Sequence, residues 1–89
     1  INKPADNLFK VLNNPFTNYV DLQLGKSVNG SAQIRLLDIT GKELLRSTTQ
    51  VAGLSTLHID LSQKNISAGV YLLEIVFNHE KHVERVVKQ

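Results

Sequence analysis

Along most of this chain, apolar residues fall on every second position in one short run after another. That period of two marks strands with one buried face. In Tyr19-Val20-Asp21-Leu22-Gln23-Leu24, the set Val20, Leu22 and Leu24 lies on one side and Tyr19, Asp21 and Gln23 on the other. Ala32-Gln33-Ile34-Arg35-Leu36 alternates in the same way until Leu37 and Ile39 shift the phase, which predicts a bulge. Thr56-Leu57-His58-Ile59-Asp60-Leu61 alternates with Leu57, Ile59 and Leu61 inward. The pattern is strongest at the end of the chain. Gly69 opens a strand over residues 70–77 that is apolar on both faces except at Glu74, which predicts a central strand covered on both sides. Asn78-His79-Glu80 turns the chain, and residues 81–88 return with Val83 and Val87 on one face. A tail so regularly patterned is expected to be structural, because frayed ends are normally polar and unpatterned.

Punctuation between the runs supports the same reading. Gly25 and Asn29-Gly30-Ser31 mark a turn, and Asp38-Ile39-Thr40-Gly41-Lys42 reads as a hairpin turn with Gly41 at positive φ. Residues 43–51 form a strand with a polar second half, suited to a sheet edge. Residues 62–68 are the one helix-like interruption, where Ser62 is placed to cap a single turn too short to stand alone. Asn7-Leu8-Phe9-Lys10-Val11-Leu12 is a short candidate strand, and Pro15 behind it fixes its own φ and extends Asn14. Six or seven short strands at this spacing predict an all-β sandwich.

Size and composition narrow what such a sandwich can do. At 89 residues the chain has room for one modest core and no deep cleft beside it. A composition 42% hydrophobic and 20% charged is that of a folded domain. No apolar run nears the ~18 residues of a transmembrane segment. The first residue is Ile1, so the chain is expected to be a piece of something longer, with residues 1–12 a residual linker and possible first strand ahead of a domain over 13–89. With no cysteine there is no disulfide framework, thiol catalysis or thiolate metal site. The net charge of +2 is small, and its bases are interspersed with acids, so nucleic acid is not an expected partner.

Candidate chemistry is sparse. His79-Glu80-Lys81-His82 falls one residue short of the His-Glu-x-x-His zinc pattern, and an i, i+3 pair on a turn and strand points to opposite faces. His58 and Asp60 share an outward face and read as solvated. Asp38 and Thr40 offer two oxygens where Ca²⁺ takes six to eight, so turn chemistry accounts for them. No cofactor or metal is expected, and no Ser/His arrangement supports a hydrolase.

Three segments together resemble the type IX (Por) secretion system C-terminal sorting domain, type A, found at the ends of cargo proteins in Bacteroidetes. Asn14-Pro15-Phe16 with Tyr19-Val20-Asp21-Leu22 is similar to that family's opening Pro-Asn-Pro-Phe and first strand. Residues 34–44, with the turn residues Asp38, Gly41 and Lys42, are similar to its strand, Asp-x-x-Gly-Lys turn and returning strand. Ile66-Ser67-Ala68-Gly69-Val70-Tyr71 and the closing Arg85-Val86-Val87-Lys88 are similar to its Leu-x-x-Gly-x-Tyr motif and basic-apolar tail. Asn13 stands where the family usually has proline, which is expected to reduce turn rigidity, and Ile66 where it usually has leucine.

The resemblance implies a seven-stranded, immunoglobulin-like sandwich that acts as an address and performs no chemistry. Its implied partners are the translocon and shuttle components of the secretion system, and a sortase-like cysteine peptidase that removes the domain from a larger cargo protein. The implied route runs through the periplasm to the cell surface or the medium. Recognition is expected at Gly69, Tyr71, Arg85, Val86, Val87 and Lys88, with the hairpin's free strand edge open to partner pairing. The reading from another class is a carbohydrate- or surface-binding sandwich module of an extracellular enzyme, which would need a row of exposed aromatics. A spacer domain is the third.

Overall fold

The computed structural model describes residues 9–25, 30–51 and 55–89. Among these residues seven strands are present: β1 (Phe9–Val11), β2 (Tyr19–Leu24), β3 (Ser31–Asp38), β4 (Glu43–Gln50), β5 (Thr56–Asp60), β6 (Gly69–Phe77) and β7 (Glu80–Lys88). They form two antiparallel sheets, β1-β2-β5 and β4-β3-β6-β7, packed face to face as an immunoglobulin-like β-sandwich. The alternation read from the sequence is what builds the core. Val20 and Leu22 of β2 and Leu57 and Ile59 of β5 meet Ile34 and Leu36 of β3 and Leu73 and Ile75 of β6.

Local chemistry accounts for the connections. Asp38 Oδ1 accepts from the Thr40 N–H (2.9 Å), the Thr40 hydroxyl (2.6 Å) and the Lys42 N–H (3.0 Å), while Gly41 sits at φ +93°. These bonds, the Thr40 hydroxyl foremost, hold the Asp38 carboxyl below the usual carboxylate range. The phase shift at Leu37 is a bulge: Leu36 pairs with Leu45 but Leu37 with Glu43, leaving Leu44 as the extra residue on β4. The expected Asn29-Gly30 turn lies partly outside the described residues, although Gly30 itself has φ +111°. Asn7, Leu8 and the linker over residues 1–6 lie outside them too.

Two expectations change. The single turn expected over residues 62–68 is present, with the Lys64 N–H bonded to the Leu61 carbonyl, but Ser62 does not cap it. The side chain that organises this turn is Asp60, whose Oδ1 takes the Ser62 N–H (2.9 Å) and hydroxyl (2.7 Å). The second change concerns β6, which is central within its sheet but has a single covered face. Val70 on its far side is 38% exposed and Leu72 and Val76 are half-buried, because the described residues form only two layers.

Candidate functional site

Strand β7 closes the larger sheet, and its register on β6 determines what each of its residues can do. A two-residue turn at Asn78 and His79, both at positive φ (55° and 65°), pairs Phe77 with Glu80 and carries the ladder to Gly69 opposite Lys88. Val86 lies opposite Tyr71 and faces the core; His82 lies opposite Ile75 at the core's margin. Val83, Arg85 and Val87 face away from the second sheet, opposite Glu74, Leu72 and Val70.

The far edge of this terminal strand is half occupied, which corrects the expectation of a free edge. Residues 13–16 run alongside it. Asn14 Nδ2 donates to the Arg85 carbonyl (3.1 Å), and its Oδ1 accepts from the Val87 N–H (2.9 Å). The Phe16 N–H donates to the Val87 carbonyl (2.8 Å), and the Gln89 N–H to the Phe16 carbonyl (2.9 Å), as a parallel bridge. Asn13 makes the matching pair of bonds on the other sheet, from Nδ2 to the Tyr19 carbonyl (2.9 Å) and to Oδ1 from the Asp21 N–H (2.8 Å). Two adjacent carboxamides therefore fasten one sheet to the other. Each amide supplies a donor and an acceptor in the geometry of a strand residue. Phe16, 1% exposed, anchors the clasp in the core. The Asn14–Pro15 peptide is cis.

The residues expected to carry recognition separate into two groups. Tyr71 and Val86 are core residues, and the Tyr71 hydroxyl donates to the Ser67 carbonyl (2.6 Å). Gly69 acts through its backbone: its φ is +150°, while an added Cβ would meet nothing within 4 Å. Arg85 is exposed, and Val87 and Lys88 are half-buried, so these three contribute surface. Asn14 and Pro15 shape the clasp, and Asp38, Gly41 and Lys42 the β3–β4 turn.

The outward face of the larger sheet carries an ion-pair network that sequence reasoning missed. Glu74 is 4% exposed although it faces away from the second sheet. Arg35 Nε donates to its Oε1 (2.6 Å), and Lys81 Nζ lies 3.5 Å from Oε2. Arg35 also reaches Glu43 (3.1 Å), which Arg46 holds from the other side (2.9 Å). The Arg35 hydrogen bond keeps the Glu74 carboxyl below its ordinary range, against a smaller opposing effect of burial. Bonding to Glu74, and then to Glu43, pushes Arg35 upward in turn. A lone glutamate in an apolar strand was the available signal, but its partner lies 39 residues away and becomes visible only with the β3–β6 register.

The remaining candidates take on plain roles. Asp38 spends Oδ1 on the turn, and His58 pairs across strands with Asp21 (Nδ1 to Oδ1, 2.7 Å) rather than with Asp60. His79 sits in the turn and His82 on β7, and the described residues hold no group of three or more His, Asp or Glu placed for a metal. Of the five aromatics only Tyr19 is exposed, stacked on His58 at 5.1 Å, so there is no aromatic row for sugar rings. Among the described residues no helix is long and apolar enough to cross a membrane.

Comparison with known proteins adds three findings. The family described as "Secretion system C-terminal sorting domain" matches residues 10–89. No curated protein matches the chain. Among solved structures the chain is similar to PorZ, an essential bacterial surface component of the type-IX secretion system of Porphyromonas gingivalis. The TM-score is 0.64 at 15% identity, over 91% of this chain and 11% of that one. At that identity the likeness speaks for the fold.

Proposed function

This chain belongs to the type IX secretion system C-terminal sorting domain family, and on that premise we propose that it is the address carried by a larger cargo protein. The observation that carries the reading is the family match over residues 10–89, nearly the whole sandwich. Sorting domains of this family imply delivery to the cell surface or beyond. The finer steps belong to the proposal: transit of the periplasm after Sec export, engagement by the shuttle components and outer-membrane translocon, and removal by a sortase-like cysteine peptidase. The domain itself serves as ligand and substrate and performs no chemistry.

Burial divides the labour among the proposed recognition residues. Arg85, Val87 and Lys88 offer surface to the machinery, whereas Gly69, Tyr71 and Val86 act by keeping that surface in place. We take β1 into the sorting unit together with residues 13–89, because Phe9 packs into the same core.

Fusing the chain to a reporter in a host with the secretion system tests the proposal. The fusion should reach the cell surface or medium, and deletion of residues 81–89 should abolish this. That deletion also removes Val86 from the core, so Arg85→Glu with Lys88→Glu serves as a second, surface-only variant. It should keep a wild-type melting curve and lose export. Export of the truncated fusion at the wild-type level would overturn the role of the tail.

A further inference from the structure

We propose that the uncovered half of the β7 edge, residues 81–85, is a strand-addition site for an extended segment of a partner protein. The segment presents acidic side chains opposite Lys81 and Arg85 and an apolar one opposite His82. The proposal deepens the sorting reading and rests on it only for the partner's being part of the export machinery.

Three observations converge on this edge. The clasp bonds to Arg85, Val87 and Gln89 show which residues turn their backbone polar groups outward, and alternation extends the set to Val83 and Lys81. Among the described residues nothing bonds the outward groups of those two. Sheet edges are normally blunted by shortness, bulges, proline or projecting lysine. Here β7 is nine residues long, its Lys81 leans onto Glu74, and Val83 stands 51% exposed at the middle of the open stretch.

Beside the edge, between β1 and β7, lies a cleft of ≈ 310 Å³ with Phe9, Val11, Leu22 and Ile75 among its lining. The His82 ring borders it, 5.5 Å from that of Phe9. Its Nε2 is buried without a hydrogen-bond partner among the described residues, and Glu80 is 3.9 Å away. A strand laid on β7 sends every second side chain toward this cleft and the others toward the outward face.

Charge identifies the occupant. The outward face of the stretch is basic at Lys81 and Arg85, and the cleft side is acidic at Glu80 and Glu84. A second copy of this chain fits poorly. Antiparallel pairing of two β7 edges about Val83 sets Lys81 against Arg85. Pairing about His82 sets Glu80 against Glu84, and about Glu84 sets that residue against itself. Each register puts like charges directly opposite, which is destabilising. A heterologous strand with the complementary alternation meets no such penalty.

The probe is acetyl-Glu-Lys-Val-Leu-Glu-Lys-amide, which places acids opposite Arg85 and Lys81, valine opposite Val83 and leucine opposite His82. In an NMR titration of the 89-residue chain, the largest amide shifts should fall at Lys81, Val83 and Arg85. The peptide with Glu and Lys exchanged should bind about tenfold more weakly, and Arg85→Glu, which turns one of the four favourable charge pairs into a like-charge pair, should narrow that preference. Val83→Pro removes an outward N–H and no bond to β6, so it should stay folded and lose binding. Equal affinity for both peptides, shifts centred on another strand, no shift at millimolar peptide, or undiminished binding by folded Val83→Pro would each overturn the site. Export separates the two readings. Wild-type export by a folded Val83→Pro fusion defeats the strand-addition site alone, whereas failure of the wild-type fusion to export defeats the sorting reading.

Discussion

Asn13 and Asn14 show how much two adjacent side chains can do when each mimics a strand. Asn14 satisfies one carbonyl and one N–H on β7 that would otherwise face water. Asn14→Ala should therefore destabilise the domain by about 1–2 kcal/mol, the worth of two exposed side-chain-to-backbone hydrogen bonds. Urea unfolding should show a lower midpoint with an unchanged slope. Asn13, where the family usually has proline, trades ring rigidity for a pair of bonds to β2, so the expected loss of stiffness is offset by hydrogen bonding. Glu74 contributes to the response to acid. Its carboxyl is held below the unfolded value of about 4.3, so the native state binds fewer protons there than the unfolded chain. The contribution is complete above that value and lost as pH falls through the lowered one; Asp38, Asp60 and Glu43 shift in the same direction. Stability should decline below about pH 4, and Glu74→Gln should flatten that decline in unfolding curves taken between pH 2 and 6.

Individual elements were legible in the sequence where period and turn chemistry decide, and illegible where pairing decides. Alternation located β2, β3 and β5, and the phase shift at Leu37 marked the bulge, because both are local consequences of side-chain direction. The two-faced apolarity of β6 suggested a covering layer, yet its outward residues Leu72 and Glu74 shelter among side chains of the neighbouring strands. The clasp escaped notice because Asn14 and its partners lie 71 and 73 positions apart, and nothing local marks one asparagine as a bridge. Gly69, by contrast, was marked by its residue type, and its role is open to a clean test. A Cβ there would meet nothing within 4 Å, so any loss on Gly69→Ala comes from the backbone alone. That substitution should cost about 1–3 kcal/mol of stability, measured by thermal or urea unfolding, with the β-sheet circular dichroism retained at low temperature.

The whole molecule is tied together by contacts between its early and late segments. β1 leads into the clasp, the clasp joins β7, and Val86 and Phe16 both enter the core. So many long-range pairings place the sandwich among the slower-folding topologies, in the range of about milliseconds to seconds. The clasp also has a mechanical consequence. Residue 16 and residue 88 are bridged in parallel, so a pull on the chain ahead of the clasp and an opposing pull at Gln89 load the four bonds of the clasp in shear. Bonds loaded in shear yield together, whereas a peeled edge gives way one bond at a time. Stretched between its two ends in an optical trap, the domain should unfold at a single force peak, and Asn14→Ala should lower that peak. On the proposed reading, a domain joined to its cargo at one end is in this way also a mechanical coupling, held against tension by bonds between residues 71 and 73 positions apart in sequence.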